Sequence, residues 1–196
     1  MDQLVIAIDC DDVLIPTTPY FVRAYNERYG THATLQDART PNPEIWGASE
    51  QDILHRWHQL TENQEYRELK PSLEDVQVLR RLADSHVLHL VTARKDSERE
   101  FTQKVISQSL DGIFNAMDFV GWDGSKGDIC QRIQADVLID DNGHHLLDAL
   151  GCGLPNGSAI LFGDYPWNVD YRDQAGVVFC KNWLEVEREI ERIAQV

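Results

Sequence analysis

The 196-residue chain is short of positive charge and of cysteine, and it has no long apolar run. It carries 18 lysine and arginine residues against 33 aspartate and glutamate residues, which gives a net charge of −15. This balance argues against a nucleic-acid scaffold and against a protein that binds anionic membranes, because both need basic faces. A small anionic substrate is still compatible with the composition, provided that local cations neutralise its pocket.

Only four cysteines are present, and none of them forms a C-x-x-C pair or a His/Cys cluster with zinc-ligand spacing. A chain of this length can bury a core without disulfides, so we expect these cysteines to be reduced and mostly buried. The start of the chain does not resemble a signal peptide. No apolar stretch approaches the roughly 20 residues of a membrane helix. We therefore expect a cytoplasmic protein.

Short apolar runs bounded by polar or turn residues predict buried parallel strands. The four clearest runs cover residues 4–8, 87–91, 137–139 and 159–162, and weaker runs cover 118–121 and 177–179. Amphipathic helical patterns separate most of these runs. Alternating strands and helices predict an α/β fold, with a Rossmann-like parallel sheet between two helical layers.

Residues 16–70 interrupt this alternation. Thr18 and Pro19 begin a helical pattern that Gly30 ends, and Ser49 precedes a second one. No strand pattern is evident in this stretch. We therefore predict a catalytic core made of residues 1–15 and 71–196, and a small helical cap made of residues 16–70. The cap would lie over the carboxyl ends of the strands, where open α/β sheets bind ligands.

The first strand ends in three acidic residues, Asp9, Asp11 and Asp12. Two carboxylates about 4 Å apart repel each other by roughly 4 kcal/mol at an effective dielectric constant near 20. Such a cluster therefore needs a cation. Further residues of interest follow the other predicted strands or precede them by one helix, and the parallel sheet would bring all of them to one edge: Thr92, Ala93, Arg94, Lys126, Asp140 and Asp141.

These residue types can support phosphoryl transfer. Clustered carboxylate oxygens suit Mg²⁺, which is often bound by one or two carboxylates together with a substrate phosphate. An aspartate beside the metal can attack phosphorus, and a second aspartate can protonate the leaving oxygen and later deprotonate water. A lysine and a threonine can hold the phosphoryl oxygens.

The four groups of residues resemble the motifs of the haloacid dehalogenase-like hydrolase superfamily. They are the run ending in DCDDV at Asp9–Val13, the apolar run ending at Thr92, then Lys126, and the apolar run ending in Asp140 and Asp141. Their order and spacing cover most of the chain. The later segments DVLIDDNGHHLLDA, AILFGDYPWN and VVFCKNWLEVEREI resemble the 5′(3′)-deoxyribonucleotidase group of this superfamily.

The resemblance implies a role for each matching residue. Asp9 would be the nucleophile and a Mg²⁺ ligand, and Asp11 would be the acid/base and bind the metal through its backbone carbonyl. Asp141 would meet the metal directly, and Asp140 would support Lys126 or a metal-bound water. Thr92, Ala93, Arg94 and Lys126 would bind the substrate phosphate, and the backbone N–H groups of Asp11 and Asp12 could face it.

The chain departs from the pattern at two places. Phosphatases of this type often have glycine where this chain has Asp12, so the Asp12 carboxylate must point away from the phosphate or find a partner. The nucleotidases tend to have Thr-Ser-Pro where this chain has Thr92, Ala93 and Arg94. Arg94 could bind a substrate anion, or it could form an ion pair with Asp96 or Glu98.

Trp46 is the aromatic residue of the predicted cap that best suits stacking on a substrate base, because it lies in a loop rich in proline and glycine. Core packing is the alternative for Trp46. Several other aromatic residues of the cap have helical spacing, which is typical of a core.

The sequence thus predicts a Mg²⁺-dependent phosphomonoesterase with a small phosphorylated substrate, such as a nucleoside or deoxynucleoside monophosphate, and no nucleic-acid or membrane partner. A sugar phosphate or another small phosphorylated metabolite is the alternative substrate. A phosphoacceptor module of the response-regulator kind would place a lone aspartate in mid-chain, after an acidic pair. A degenerate binding protein would not need the complete set of motifs, and a dehalogenase would not need Asp11.

Overall fold

The structure is a computed structural model, and it describes residues 2–195. Its centre is a parallel sheet of six strands in the order β3-β2-β1-β4-β5-β6. The strands are β1 (Val5–Ile8), β2 (Val87–Thr92), β3 (Ala116–Phe119), β4 (Val137–Asp140), β5 (Ala159–Phe162) and β6 (Val177–Cys180). The predicted α/β fold with a parallel sheet is therefore confirmed.

The strands lie close to the predicted apolar runs, with the largest shift at β3. Three central strands, β1, β4 and β5, are almost completely buried, so a continuous apolar run marks each of them. Strand β3 lies at the edge of the sheet and is partly exposed, and it begins two residues before the predicted run. An edge strand needs fewer apolar residues, so its apolar signal is weaker.

Helices cover both faces of the sheet. The helices are α1 (Thr17–Tyr29), α2 (Pro43–Trp46), α3 (Glu50–Leu60), α4 (Gln64–Arg67), α5 (Leu73–Ser85), α6 (Arg99–Leu110), α7 (Lys126–Ile133), α8 (Gly143–Gly151) and α9 (Trp183–Ile193). Helices α5, α6 and α9 pack on one face against strand residues such as Ile6 and Ile8. Helices α7 and α8 pack on the other face, against Ala7 and Leu138. The sheet is thus the middle layer of three, as predicted.

Strand β1 lies at the switch point of the sheet. The chain passes from β1 to β2 and β3 on one side, and then crosses to β4, β5 and β6 on the other. Ile8 of β1 pairs with Ile139 of β4, so Asp9, which follows β1, and Asp140, the last residue of β4, come together at the carboxyl ends of the two strands. Ligands bind in the crevice at such a point.

Residues 16–70 contain helices α1 to α4 and no strand. Their buried side chains form an apolar cluster of their own, which includes Tyr20, Tyr25, Trp46 and Ile53. Gly30 ends α1 with a φ of 67°, a left-handed conformation that glycine adopts without strain. We call these residues the helical insert, and its exact role as a separate cap stays a prediction.

Two further expectations can be compared with the structure. All four cysteines are free; Cys10, Cys130 and Cys180 are buried and Cys152 is partly so, which confirms the expectation. Within residues 2–195, no helix is both long enough and apolar enough to cross a membrane.

Candidate active site

Asp9 lies directly after β1 and is buried against a lysine. The Lys126 ammonium lies 2.6 Å from Asp9 Oδ1 and 2.6 Å from Asp140 Oδ2, and the lysine side chain is completely buried. Lys126 reaches this position because α7 begins at that residue. Ser125 precedes the helix and accepts a hydrogen bond from the N–H of Asp128, which fixes the first turn. The predicted neighbours Asp9, Lys126 and Asp140 are therefore in contact.

Asp9, Asp140 and Asp141 form a cluster of buried carboxylates. One oxygen from each of them lies within 4.8 Å of one oxygen from each of the others. The N–H of Asn142 donates to Asp140 Oδ1 over 2.9 Å, so both oxygens of Asp140 are held. Hard oxygen donors at this separation are suited to a divalent cation such as Mg²⁺.

The cluster carries more negative charge than its surroundings balance. Burial raises the pKa of Asp9 to about 7, although the neighbouring Lys126 opposes this shift. Burial and the charges of Asp12, Asp140 and Asp9 raise the pKa of Asp141 well above its usual value. Burial lowers the pKa of Lys126, but Asp140 and Asp9 outweigh this effect and the net shift is upward. An additional cation would stabilise the charged form of the carboxylates.

Asp11 faces a different cation. Arg94 Nε and Nη2 donate to its two carboxylate oxygens over 2.8 and 2.6 Å, and the Thr17 hydroxyl donates to one of them. Burial raises the pKa of Asp11, but Arg94 and Thr17 outweigh it, and the net shift is downward. Arg94 therefore pairs with Asp11 and not with Asp96 or Glu98. Asp96 instead pairs with Arg99 over 2.7 Å.

The carboxylate and the backbone N–H of Asp12 both form hydrogen bonds within the protein. Its carboxylate accepts a hydrogen bond over 2.8 Å from the backbone N–H of Thr18, in the first turn of α1, and another from the Thr18 hydroxyl. The N–H of Asp12 donates to the Ile15 carbonyl over 2.7 Å. The expectation that this N–H could face the phosphate is therefore wrong, because the turn after β1 uses it.

Thr92 is the last residue of β2, and Ala93 and Arg94 follow it. Thr92 is completely buried, and its hydroxyl accepts a hydrogen bond from the N–H of Arg94 over 3.2 Å. Because a hydroxyl can both accept and donate, the proton of the Thr92 hydroxyl is still available for another acceptor. Ala93 is partly exposed. Their contact with a substrate stays a prediction.

Trp46 lies in the core of the helical insert. Its ring is 0% exposed and packs edge-on against Tyr25 and Trp57. Its indole N–H donates to the Thr40 carbonyl over 3.0 Å. The packing alternative thus describes its position in this structure, and substrate stacking by Trp46 stays an untested prediction.

Residues that the sequence did not single out complete the site. Arg39 of the helical insert donates to Asp141 Oδ2 over 2.7 Å and stacks on Trp167, with 4.4 Å from its guanidinium carbon to the ring centroid. The Trp167 indole N–H also donates to Asp141 Oδ2, over 2.8 Å. Trp167 follows the carboxyl end of β5, a position that could have indicated it. No sequence signal marks Arg39, which reaches the site from a loop between α1 and α2.

The chain matches a known family over almost all of its length. A family model described as "5′ nucleotidase, deoxy (Pyrimidine), cytosolic type C protein" (NT5C) matches residues 3–196. The chain belongs to this family. The predicted resemblance to haloacid dehalogenase-like phosphatases, and to their deoxyribonucleotidase group, is thereby confirmed. The NT5C match covers the helical insert as well as the sheet.

Solved structures share the fold of this NT5C protein. A haloacid dehalogenase-like hydrolase family protein from Streptococcus pneumoniae has a TM-score of 0.67 at 15% identity, over 96% of this chain and 98% of that one. A protein from Clostridium acetobutylicum described as a predicted phosphatase has a TM-score of 0.67 at 14% identity, over 97% and 100%. No curated protein matches the chain. Membership of the NT5C family makes the chain an enzyme of the phosphatase class.

Proposed function

We propose that this enzyme is a Mg²⁺-dependent phosphomonoesterase that works through an aspartyl-phosphate on Asp9. The observation that carries the proposal is the position of Asp9 at the switch point of the sheet. Its carboxylate is buried, in contact with Lys126, and adjacent to Asp140 and Asp141. A nucleophile, a phosphate-binding cation and a set of hard oxygen ligands are then within a few ångströms of one another.

The residues fit a magnesium ion. Asp9, Asp140 and Asp141 offer oxygens at mutual separations that one ion could bridge, and the three carboxylates outnumber the two cations in contact with them, Lys126 and Arg39. In the proposed enzyme Asp9, Asp141 and the Asp11 carbonyl would hold the ion. When bound, Mg²⁺ would neutralise charge that develops on the phosphoryl oxygens.

Asp9, Asp11 and Lys126 would each have a distinct role in the two half-reactions. The Asp9 carboxylate attacks phosphorus, and the substrate oxygen leaves with a proton from Asp11, which must be protonated for this step although Arg94 and Thr17 lower its pKa. Water then attacks the same phosphorus, its proton passes to Asp11, and phosphate departs from Asp9. Lys126 donates two hydrogen bonds to Asp9 and Asp140, and its third proton is available for a phosphoryl oxygen.

The proposed substrate is a nucleoside or deoxynucleoside 5′-monophosphate, supported by the description of the NT5C family. Another small phosphomonoester, such as a sugar phosphate, is the alternative, supported by the departure at Ala93 and Arg94 and by the buried position of Trp46. The wording "cytosolic type" in the family description supports the predicted cytoplasmic location.

The variant Asp9→Asn tests the nucleophile. We expect it to lose phosphate release, because an amide cannot form the aspartyl-phosphate, and to stay folded, because Asp140 still compensates the Lys126 charge. Phosphate release and a urea unfolding curve are measured together. Asp84→Asn, at an exposed position on α5, is the matched control. Normal phosphate release by Asp9→Asn would show that Asp9 is not the nucleophile.

Removal of metal tests the cofactor. We expect EDTA to stop phosphate release and added Mg²⁺ to restore it. Full activity in the presence of the chelator would exclude the proposed metal dependence.

A substrate screen tests the class of phosphomonoester. Phosphate release is measured with nucleoside and deoxynucleoside 5′- and 3′-monophosphates, sugar phosphates and amino-acid phosphates. We expect the highest kcat/KM with a 5′-monophosphate, and a clear preference for a sugar phosphate would favour the alternative. If no phosphomonoester is hydrolysed, the binding-protein interpretation replaces the enzyme.

A further inference from the structure

Arg94 is a buried arginine whose hydrogen bonds are almost all used within the protein. Its side chain is 5% exposed. Two of its N–H groups donate to Asp11, a third to the Thr102 hydroxyl over 3.0 Å, and a fourth to the Tyr66 hydroxyl over 3.1 Å. Because a guanidinium has five N–H groups, only one remains for a substrate anion.

This arrangement fixes the orientation of the Asp11 carboxylate. A planar guanidinium that donates two parallel hydrogen bonds holds a carboxylate in one plane, which a lysine ammonium cannot do. Arg94 lies beside the stacked rings of Tyr66 and Phe101, with 5.9 Å from its guanidinium carbon to each centroid. The carboxylate of Asp11 is therefore oriented by Arg94, which follows β2, by the Thr102 that Arg94 contacts on α6, and by Tyr66 and Thr17 of the helical insert.

We propose that Arg94 is a positioning residue that holds the Asp11 carboxylate toward the water that hydrolyses the aspartyl-phosphate. The inference rests on the proposed function. In this step the water oxygen forms a bond to phosphorus and the bond from phosphorus to the Asp9 oxygen breaks. The electron pair of the broken bond returns to the Asp9 carboxylate, the water proton passes to Asp11, and phosphate leaves.

The kinetics of the two half-reactions separate this role from phosphate binding. p-Nitrophenyl phosphate is the probe, because p-nitrophenolate leaves without a proton and the first half-reaction then does not need Asp11. If only the second half-reaction slows, kcat and KM fall together and kcat/KM is unchanged. An arginine that binds phosphate would instead raise KM, and a merely structural arginine would lower kcat/KM.

The experiment compares Arg94→Lys with the wild type. We expect kcat for p-nitrophenyl phosphate to fall roughly tenfold, a part of the 10²–10⁴-fold typical of general base catalysis, with KM falling by about the same factor. A stopped-flow trace should show a burst of p-nitrophenol equal to the enzyme concentration. Arg99→Lys, at the first residue of α6, is the matched control, because this partly exposed arginine pairs with Asp96, and the variant should leave both constants unchanged.

Several results would overturn the inference. A rise in KM with unchanged kcat would assign Arg94 to phosphate binding, and a fall in kcat/KM without a burst would assign it to the fold. If Arg94→Lys does not fold, Tyr66→Phe replaces it, because this variant removes one partner of Arg94 and keeps the ring stacked on Phe101. If kcat and KM are unchanged in Tyr66→Phe, the contacts of Arg94 do not affect Asp11, and the inference is rejected. A wild type that hydrolyses no phosphomonoester would reject the proposed function itself.

Discussion

Asp12 stands where related phosphatases often have glycine, and its backbone explains both choices. Its φ is 60°, in the left-handed region that glycine enters freely and that aspartate tolerates better than most residues. Its carboxylate lies at the start of α1, where the exposed N–H groups of the helix favour a negative charge. Burial nevertheless raises its pKa to about 6. The Asp12 carboxylate therefore stabilises the turn after β1 and the first turn of α1.

This account predicts different stabilities for two substitutions of Asp12. Both Asp12→Gly and Asp12→Ala remove the carboxylate, so the difference between them isolates the added Cβ atom at a positive φ. We expect Asp12→Ala to be less stable than Asp12→Gly by about 1 kcal/mol in urea unfolding. Equal stability of the two variants would contradict a strained backbone at this position.

The central residues of the site could be predicted because parallel strands end at a common edge. Asp9, Lys126 and Asp140 follow or precede buried strands, and no long-range contact had to be known in order to group them. Arg39 and Tyr66 could not be predicted. Arg39 meets Asp141 across 102 positions, and Tyr66 meets Arg94 across 28, and in both cases the contact depends on how the helical insert packs.

Among the helices, α7 and α8 determine where Lys126 lies. The two helices approach closely at Gly127. A Cβ atom on Gly127 would lie 2.7 Å from Cys152 Sγ and 2.8 Å from the Asp148 carbonyl oxygen, too close for either contact. The N–H of Gly127 also donates to the Asp148 carboxylate over 2.9 Å. The first turn of α7, and with it the lysine, is therefore held against α8.

We predict that Gly127→Ala destabilises the protein by about 1–3 kcal/mol, the usual cost of overpacking, and lowers activity by displacing Lys126. Gly151→Ala is the matched control, because this glycine at the end of α8 has open space around its Cα. We expect the control to be neutral or to gain up to about 1 kcal/mol from helix propensity. Urea unfolding and phosphate release are measured for both. A fully stable and active Gly127→Ala would contradict the close approach.

The elements were easier to predict where burial was complete. The apolar runs of β1, β4 and β5 gave their positions to within a residue, because both faces of these strands are covered. The edge strand β3 was displaced, since partial exposure dilutes its apolar pattern. The short helices α2 and α4 had no such pattern, because four residues are too few to show a period.

The charge of the whole molecule is −15, and its most buried acids meet at one place. Lys126 compensates part of the charge of this carboxylate cluster, and Arg39 contacts Asp141 from the exposed side. The negative charge that Lys126 and Arg39 leave uncompensated in this cluster is a reason to expect a bound cation. A bound cation would also explain how such an acidic protein could accept an anionic substrate, because it would reverse the local electrostatic potential.

We predict that Mg²⁺ raises the melting temperature of the protein independently of any activity. A ligand at 100 times its dissociation constant stabilises the folded state by about 2.7 kcal/mol. The variant Asp141→Asn should gain less, because it loses one ligand of the proposed site. Sodium chloride at the same ionic strength is the control for general screening. An equal shift with sodium chloride, or an undiminished shift in Asp141→Asn, would contradict a specific site.

The covalent intermediate is the central claim, and its capture is the most direct test. In Asp11→Asn, p-nitrophenyl phosphate should still phosphorylate Asp9, while hydrolysis slows for lack of a base. Acid quenching followed by peptide mass spectrometry should then find one phosphoryl group on the peptide that contains Asp9, and none in the double variant Asp9→Asn, Asp11→Asn. Release of phosphate by the wild type, with an unmodified Asp9 peptide in the quenched Asp11→Asn sample, would contradict the account.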